Sequence, residues 1–297
     1  MSAIDLAHEK RRSALPGLAY GFYLLRKNVL TMIGLLIVLV LILVAILAPL
    51  VAPYPKDASA DVHIEQRLQA PSRSHLFGTD EMGRDMLSRV VFGARISLTV
   101  GLIAIGLALL VGVPLGLFAG YFGGFIDELI MRVTDIFLSF PPLLLATSIA
   151  AMLGPSLTNA MIAIALSWWP WYTRLIRGQA VSLRERGFVE AARAIGVPKP
   201  RIIFRHILPN AVAPIVVQAS MDFGSIILES ASLSFLGLGA QPPQPEWGLV
   251  VSIGRNFFMT SWWYVTFPGL AIFLAVLAFN FVGDGLRELL DPKTREG

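Results

Sequence analysis

Six apolar stretches of the chain alternate with polar segments. A helix needs about 20 mainly apolar residues to cross a bilayer, and the longest of these stretches exceed that length. The pattern predicts an all-α integral membrane protein with six transmembrane helices. The predicted spans are 29–55, 96–126, a third from about residue 129 to the turn at 154–156, 157–172, 209–236 and 263–282.

The composition supports a membrane protein. Hydrophobic residues make up 55% of the chain and charged residues only 15%, whereas soluble domains carry about 25% charged residues. Cysteine is absent, which excludes disulfides, thiolate nucleophiles and cysteine-based metal sites. The net charge of +4 is modest, and no feature suggests nucleic acid as a partner. The lipid bilayer is the expected environment.

The distribution of Lys and Arg predicts the orientation. These residues are concentrated in the N-terminal tail and between the fourth and fifth spans. Cytoplasmic loops carry an excess of Lys and Arg, so both termini are expected in the cytoplasm. The predicted division is a cytoplasmic tail (1–28), a first transmembrane helix (29–55), an extracytoplasmic segment (56–95), a transmembrane domain (96–287) and a second cytoplasmic tail (288–297).

The segment 56–95 is rich in charge and contains no membrane-length apolar run. A short amphipathic helix is expected after Gly83. Solvated ion pairs are the usual content of such a segment, and a metal or catalytic site is the alternative. The residues open to both interpretations are His63, His75, Asp80, Glu81 and Asp85.

Two features mark the second and third spans. The second span is rich in glycine, which permits close approach between membrane helices; these glycines are Gly101, Gly106, Gly112, Gly116 and Gly120. In the third span, Arg132 and Asp135 are three residues apart and are expected to pair. Pro141 and Pro142 should bend or break the helix. That break is either a bend set by packing or a gating hinge.

The fourth and fifth spans carry the remaining candidate residues. An aromatic belt is expected at the end of the fourth span, from Trp168 to Tyr172. Asp222 and Glu229 are seven residues apart in the fifth span and share one helical face. Acidic groups at this depth usually face a bundle interior or a water-filled path. They are therefore candidates for a translocation path or subunit interface, as are Asp135, Pro141 and Pro142. A locally paired structural role is the alternative for Asp222 and Glu229.

A basic stretch separates these two spans. Within it, Phe188, Ala191, Ala192 and Ile195 have helical spacing. Gly196 is expected to end that helix. A second helical piece, 201–208, should stop at Pro209. A helix, a tight break and a second helix form an element suited to binding by a partner at the membrane surface. An ordinary amphipathic connector is the alternative.

The sequence contains no recognisable catalytic motif. No HExxH, GxSxG or Walker-type GxxxxGK[ST] sequence occurs. A chain with several spans and buried acids, but no motif for energy coupling, needs an external source of energy. These observations leave a transporter subunit, a channel and a membrane scaffold open.

The basic stretch resembles the EAA signature of the membrane subunits of ABC importers. The matching residues are Glu190-Ala191-Ala192, Gly196 four residues further on, and Ile207-Leu208-Pro209. Other blocks resemble the C-type subunit of the dipeptide/oligopeptide/nickel branch. They are HLFGTDEMGRDMLSRV, GARISLTVG, GYFGG, DIFLSFP and ASLSFLGLGAQPPQPEWG.

This resemblance implies a bacterial inner-membrane permease that is not itself an enzyme. The loop 184–210 would hold a cytoplasmic coupling helix between spans four and five, docked on an ATPase. The residues implied in this coupling are Phe188, Glu190, Ala191, Ala192, Ile195, Gly196 and Pro209. Glu190 is expected to anchor the loop, with Arg186 or Arg193 as a candidate partner.

The same resemblance implies the partners. They are a second, B-type permease in a heterodimer, two cytosolic ABC ATPases that use ATP and Mg, and an extracytoplasmic substrate-binding protein. No cofactor is expected on this chain, and peptides or a related small solute are the expected substrates. The alternative is a self-contained channel or ion-coupled carrier that uses Asp222 and Glu229. An intramembrane enzyme is disfavoured because no paired catalytic motif occurs.

Overall fold

The computed structural model describes residues 28–290, so the predicted tails lie largely outside the described residues. Helices dominate this range, and its only β feature is an isolated bridge between Thr79 and Asp85. The α-helices are α1 (Val29–Ile46), α2 (Ala48–Val51), α3 (Met86–Phe122), α4 (Gly124–Leu138), α5 (Pro142–Leu153), α6 (Leu157–Arg184), α7 (Gly187–Ala194), α8 (Lys199–Ile202), α9 (Leu208–Phe235), α10 (Trp247–Gly254) and α11 (Trp263–Leu290).

Four helical segments within residues 28–290 are long and apolar enough to cross a membrane: α1, α3, the run from α8 through α9, and α11. The pair α4 and α5, bent by 87°, would make a fifth. The prediction of six spans is therefore not confirmed. The predicted fourth span lies in α6, which has 28 residues but does not reach the apolar character of the others.

Helix α3 merges two elements that the sequence pattern separates. The short helix expected after Gly83 and the second span form one helix of 37 residues. Asp85 starts it, because its carboxylate accepts the Ser88 N–H at 2.8 Å. Pro114 is the first proline within α3, so no proline interrupts the helix where a boundary was expected at residue 96.

The glycines of α3 allow it to pack closely along α6. A Cβ atom at Gly112 or Gly116 would lie within 2.8 Å of the α6 backbone or side chains, and one at Gly120 would lie 2.6 Å from Ala180 Cβ. At Gly101 it would lie 2.9 Å from Phe223 in α9. Close approach is thus confirmed at these four glycines. Gly106 differs, because a Cβ there would meet nothing within 4 Å in the described chain.

The two prolines break the predicted third span. Helix α4 ends at Leu138, and α5 begins at Pro142 with Pro141 as its N-cap residue. The predicted bend or break is confirmed, since the two helices are bent by 87°. The expected pairing of Arg132 with Asp135 is wrong. Arg132 lies 3.6 Å from Glu128, one turn earlier, and Asp135 pairs with Arg174 of α6.

The prediction that a helix ends at Pro209 is wrong. Helix α8, a π-helical turn (Ile203–Ile207) and α9 form one continuous run of 37 residues, Lys199–Phe235. A proline ring clashes with the carbonyl four residues before it in a regular α-helix. In the π turn the Leu208 N–H donates to the Ile203 carbonyl instead, and this wider turn accommodates the proline near the start of α9.

Helix α11 packs between α1 and α9. A Cβ atom at Gly34 of α1 would lie 2.7 Å from Phe281 Cβ, and one at Gly224 of α9 would lie 3.0 Å from the Val276 carbonyl. The outer face of α1 remains exposed, with Val29 at 68% and Leu36 at 62%. Apolar faces of this kind are suited to contact with lipid tails.

Candidate functional site

Buried charges organise the segment before α3. Asp80 is fully buried, and its Oδ2 lies 2.6 Å from Arg84 Nε and 3.3 Å from Arg89 Nε. His75 Nδ1 lies 3.0 Å from Asp85 Oδ1. Within residues 28–290, no group of three or more His, Asp or Glu side chains could hold a metal ion. Asp80, Asp85 and His75 do form ion-pair or hydrogen-bond contacts, but the expectation that such pairs are solvated is wrong for them, because all three are buried.

Aromatic side chains at the starts of α10 and α11 bond to this segment and to the start of α3. The Trp263 indole N–H donates to the Thr79 carbonyl at 3.1 Å, and the Trp247 indole N–H donates to the Val90 carbonyl at 2.9 Å. The Tyr264 hydroxyl donates to Glu81. Burial, followed by repulsion from Asp80, raises the pKa of the Glu81 carboxyl. Two parts of the chain far apart in sequence are thus joined by buried contacts.

The candidate coupling helix α7 has one buried side and one exposed side. Val189 is fully buried and Ala192 is 6% exposed. Both pack in a cluster with Tyr121 at the end of α3 and with Ile202 and Ile203 after the loop. A movement of α7 would therefore be transmitted to α3 and to the start of α9 through packed side chains.

The exposed side of α7 carries apolar side chains beside the charged Glu190 and Arg193. Phe188, Ala191 and Ile195 are all exposed, with Phe188 at 45% and Ile195 at 81%. These are three of the four residues on the predicted face, and only Ala192 of that set is buried. Because a helix surface of this kind is costly in water, it is suited to docking on another protein.

Gly196 closes α7 with a Schellman motif. The Val197 N–H donates to the Ala192 carbonyl and the Gly196 N–H to the Arg193 carbonyl, each at 3.0 Å. Gly196 has φ of +78°, a left-handed conformation that strains any residue with a Cβ atom. In the described chain, a Cβ at this position would meet nothing within 4 Å. The need for glycine is therefore a backbone requirement.

Glu190 is exposed, and its carboxylate makes no hydrogen bond or ion pair with other described residues. Its backbone N–H donates to the Arg186 carbonyl at 3.1 Å, but neither the Arg186 nor the Arg193 side chain pairs with the carboxylate in that part of the chain. Arg193 instead stacks over the Tyr121 ring, with its Cζ 5.3 Å from the ring centroid. The carboxylate of Glu190 is thus available to a group on another chain.

Ion pairs fix α6 against α4 next to this loop. Arg177 binds both oxygens of Asp127, with Nε–Oδ1 at 2.5 Å and Nη2–Oδ2 at 2.6 Å. Near the end of α6, the Arg184 guanidinium donates to the Gly120 carbonyl of α3 at 3.1 Å. These bonds link α6 to α4 and to α3 at the end of the bundle that is predicted to face the cytoplasm.

The two acids of α9 lie inside the bundle, as their spacing predicted for one helical face. Asp222 is 8% exposed and Glu229 is 7% exposed. Gln218 donates to Asp222 Oδ1 at 2.9 Å, and the Trp168 indole N–H donates to Glu229 Oε2 at 2.5 Å. Asp222 Oδ2 and Glu229 Oε1 have no hydrogen-bond partner among the described residues.

An open cavity of about 420 Å³ adjoins Asp222 between α6 and α9. Ligand pockets typically span about 300–1,000 Å³. Its walls are formed by Trp168, Trp171, Arg174, Leu175, Gln218 and Asp222. Asp135 reaches this region through its ion pair with Arg174. Of the predicted path residues, only Asp222 therefore lies on the cavity wall. Asp135 and Glu229 each bond to a wall residue, Arg174 and Trp168 respectively, and Pro141 and Pro142 are not among the residues of the wall.

The predicted aromatic belt is wrong for most of its members. Trp169 is 6% exposed and Tyr172 is fully buried, while Trp168 is held by Glu229. The cause is the length of α6, which continues to Arg184 and places these rings in its middle. Sequence reasoning missed Trp168, Trp171 and Arg174 as cavity residues. Their spacing places them on one helix and could have suggested a shared face. It does not show which residues of α9 lie opposite that face.

Comparison with known proteins gives the class. Residues 112–296 match the family described as binding-protein-dependent transport system inner membrane component, and residues 21–71 match the N-terminal transmembrane domain of oligopeptide transport permease C. A chain of an inward-facing MetNI methionine ABC transporter shares the fold, with a TM-score of 0.56 at 19% identity over 69% of this chain and 98% of that one.

Sequence relatives narrow this class. The dipeptide transport system permease protein DppC of Alkalihalophilus pseudofirmus is 51% identical, over 92% of this chain and 89% of the relative. The probable D,D-dipeptide permease DdpC of Escherichia coli is 50% identical over 78% of each chain. The glutathione permease GsiD of Pectobacterium atrosepticum is 44% identical, over 81% of this chain and 80% of the relative.

The chain is therefore an integral membrane permease subunit of an ABC importer. It belongs to the binding-protein-dependent transport system inner membrane component family, as a C-type permease of the dipeptide/oligopeptide/nickel branch. Proteins of this family reside in the bacterial inner membrane and work with another permease, ATPases and a binding protein.

Proposed function

We propose that this permease imports short peptides, with α7 as the element that couples it to an ATPase. The observation that carries the coupling role is the division of α7 into two sides. Val189 and Ala192 hold the helix to the bundle, while Phe188, Ala191 and Ile195 stay exposed. A partner that binds the exposed side of such a helix can move it, and the buried side transmits that movement to the bundle.

The peptide substrate is inferred from the relatives. Two of them are permeases for dipeptides or D,D-dipeptides and a third is a glutathione permease, so the shared substrate chemistry is a short, zwitterionic chain with amide bonds. The partners proposed are one B-type permease, two cytosolic ATPases and one extracytoplasmic binding protein. ATP and Mg are used by the ATPases, and this chain binds no cofactor.

The exposed carboxylate of Glu190 supports direct docking on the ATPase. It is free of partners within the described residues, so a donor on the ATPase can bind it without breaking an internal bond. The self-contained channel or carrier is the second candidate, and it is disfavoured because the relatives are subunits of binding-protein-dependent systems.

Uptake by the complete transporter tests this function. The permease pair, the ATPases and the binding protein are reconstituted in proteoliposomes, and uptake of radiolabelled alanyl-alanine is measured. Uptake is expected only when ATP reaches the ATPases and the binding protein is on the opposite side. Uptake by this chain and its B-type partner alone, without ATPases, would instead favour the channel or carrier.

The six-span topology with cytoplasmic termini is part of this proposal. The chain has no cysteine, so single cysteines can be introduced without background. Ala70→Cys and Ala191→Cys both change exposed residues. In intact cells, a membrane-impermeant maleimide is expected to label position 70 and to leave position 191 unlabelled until the membrane is opened. The reverse pattern would refute the orientation.

A further inference from the structure

The cavity beside Asp222 contains an unsatisfied acid that the coupling mechanism does not use. Asp222 is only 8% exposed, and its Oδ2 has no hydrogen-bond partner within residues 28–290. Leaving a buried carboxylate oxygen unpaired costs free energy, because it has lost water without gaining a donor. This oxygen therefore calls for a donor that the described chain does not supply.

The surroundings of Asp222 keep that oxygen free. Gln218 occupies the other oxygen, Oδ1, at 2.9 Å, and so orients the carboxylate. The Tyr172 hydroxyl lies near the same carboxylate, and it also has no partner at hydrogen-bond geometry within residues 28–290. Gln218 thus positions the acid, and its second oxygen is buried and unpaired, so a ligand that binds it competes with the Tyr172 hydroxyl.

The cavity walls match a cationic group. Trp168 and Trp171 line the cavity beside Asp222, and aromatic faces attract cations. Glu229 holds the Trp168 ring in place through the 2.5 Å hydrogen bond to its indole N–H. A carboxylate with a free oxygen next to two indoles is the chemistry that recognises an ammonium group.

The opposite charge lies on the same wall. Arg174 lines the cavity and pairs with Asp135, and both side chains are more than half exposed, at 52% and 57%. Exposed charges on a membrane helix are expensive against lipid, so this face belongs to a subunit interface or a water-filled path. A ligand with a positive and a negative end would meet complementary charges along such a wall.

We propose that this cavity is a transit subsite for the ammonium end of the transported peptide, with the free oxygen of Asp222 as its acceptor. The inference rests on the proposed peptide import and adds the contact that receives the peptide within the permease. Gln218 and Glu229 act as positioning residues, since each orients a group that lines the subsite.

Uptake of radiolabelled alanyl-alanine per ATP hydrolysed by the reconstituted transporter tests the subsite. Asp222→Asn keeps the shape and removes the charge, and we expect it to lower this ratio roughly tenfold, the loss of one charge-assisted bond. The matched control is Ser220→Ala, because Ser220 lies on the same helix, bonds to the Val216 carbonyl and is outside the cavity wall; it should retain the wild-type ratio.

Tyr172→Phe separates a ligand from an internal partner. It should also retain the wild-type ratio, because the subsite does not need the hydroxyl. If it reproduced the loss seen in Asp222→Asn, Tyr172 would be the true partner and the subsite would be refuted. An unchanged ratio in Asp222→Asn would refute it as well.

Direct contact is tested by cross-linking. Trp171→p-benzoylphenylalanine in the complete transporter is expected to capture labelled alanyl-alanine during turnover, and adding Asp222→Asn should abolish the adduct. A transporter that imports the peptide without forming the adduct would overturn the subsite alone. A wild-type transporter that imports no alanyl-alanine would refute the proposed substrate, and the subsite with it.

Discussion

Trp168 and Glu229 are joined by a hydrogen bond of 2.5 Å between the indole N–H and the carboxylate Oε2. The bond crosses from α6 to α9 inside the bundle, where Glu229 is only 7% exposed. A charge-assisted hydrogen bond in such surroundings is stronger than one between neutral groups. The pair therefore fixes the distance between two helices that flank the candidate transit cavity.

Removing the indole donor should destabilise this contact. We expect Trp168→Phe to lower the stability of the purified permease by about 1.5–3 kcal/mol, because it leaves the buried carboxylate without its donor. Thermal unfolding in detergent measures the effect. Trp169→Phe is the matched control, since that indole has no hydrogen-bond partner within the described residues and packs against Phe137. Equal losses in both variants would show that ring volume, not the bond, matters.

The glycine contacts of α3 predict a position-dependent effect of adding one methyl group. At Gly116 the new Cβ would lie 2.6 Å from the Thr173 carbonyl of α6. Gly116→Ala should therefore force the two helices apart and cost about 1–3 kcal/mol. Gly106→Ala, on the same helix with an open position in the described chain, should be neutral or slightly stabilising. Matching melting temperatures for the two variants would contradict the close packing.

The buried Glu246 carboxyl at the start of α10 is expected to make the stability of the protein depend on pH. Its carboxylate caps α10 by accepting the Leu249 N–H at 2.8 Å, and burial raises its pKa above the ordinary value of 4.5. A raised pKa in the folded state means that protonation favours folding. The contribution is complete below the ordinary pKa and is lost as the pH rises through the raised value.

Two variants at Glu246 isolate this effect. Glu246→Gln keeps an acceptor for the cap and removes the titration, so its melting temperature should fall less than that of the wild type between pH 5 and pH 8. Glu246→Ala removes the cap and should cost about 1 kcal/mol at either pH. Identical pH slopes for the wild type and Glu246→Gln would exclude the role of this carboxyl.

Local signals in the sequence predicted much of the fold. The helix end at Gly196 and the break at Pro141–Pro142 follow from the conformational limits of single residues, which do not depend on distant contacts. The close packing at Gly112 and Gly116 follows from their spacing and small size. The EAA signature predicted the family, and the family model, the fold and the sequence relatives agree with that prediction.

Features that depend on distant partners were not predictable in this way. Asp135 had two cationic candidates, and spacing alone favoured Arg132, whereas the packing of α4 on α6 selects Arg174. Trp168 was expected at the membrane interface, because the pattern did not show that α6 continues to Arg184. The cavity requires α6 and α9 to face each other, and no single stretch of sequence carries that information.

Val189 and Glu190 separate the two sides of α7. Val189 is fully buried and Glu190 is exposed. Val189→Ala should lower the stability of the permease itself by about 2 kcal/mol, by removing buried apolar groups. Glu190→Ala should leave that stability unchanged and reduce the amount of ATPase that copurifies. A loss of stability in Glu190→Ala, measured before the ATPase is added, would count against a contact with another chain.

Gly196 supplies the sharpest test of coupling. A β-branched residue at φ of +78° is strained by about 1–2 kcal/mol, so Gly196→Val should open the turn that joins α7 to α8. ATP hydrolysis and alanyl-alanine uptake are measured together in proteoliposomes, and we expect uptake per ATP to fall several-fold while the spans still assemble. Gly196→Asn, which tolerates the left-handed conformation better, should lose less. Gly187→Ala, at a glycine without positive φ, should remain coupled. A Gly196→Val transporter with the hydrolysis and uptake of the wild type would refute the role of this turn.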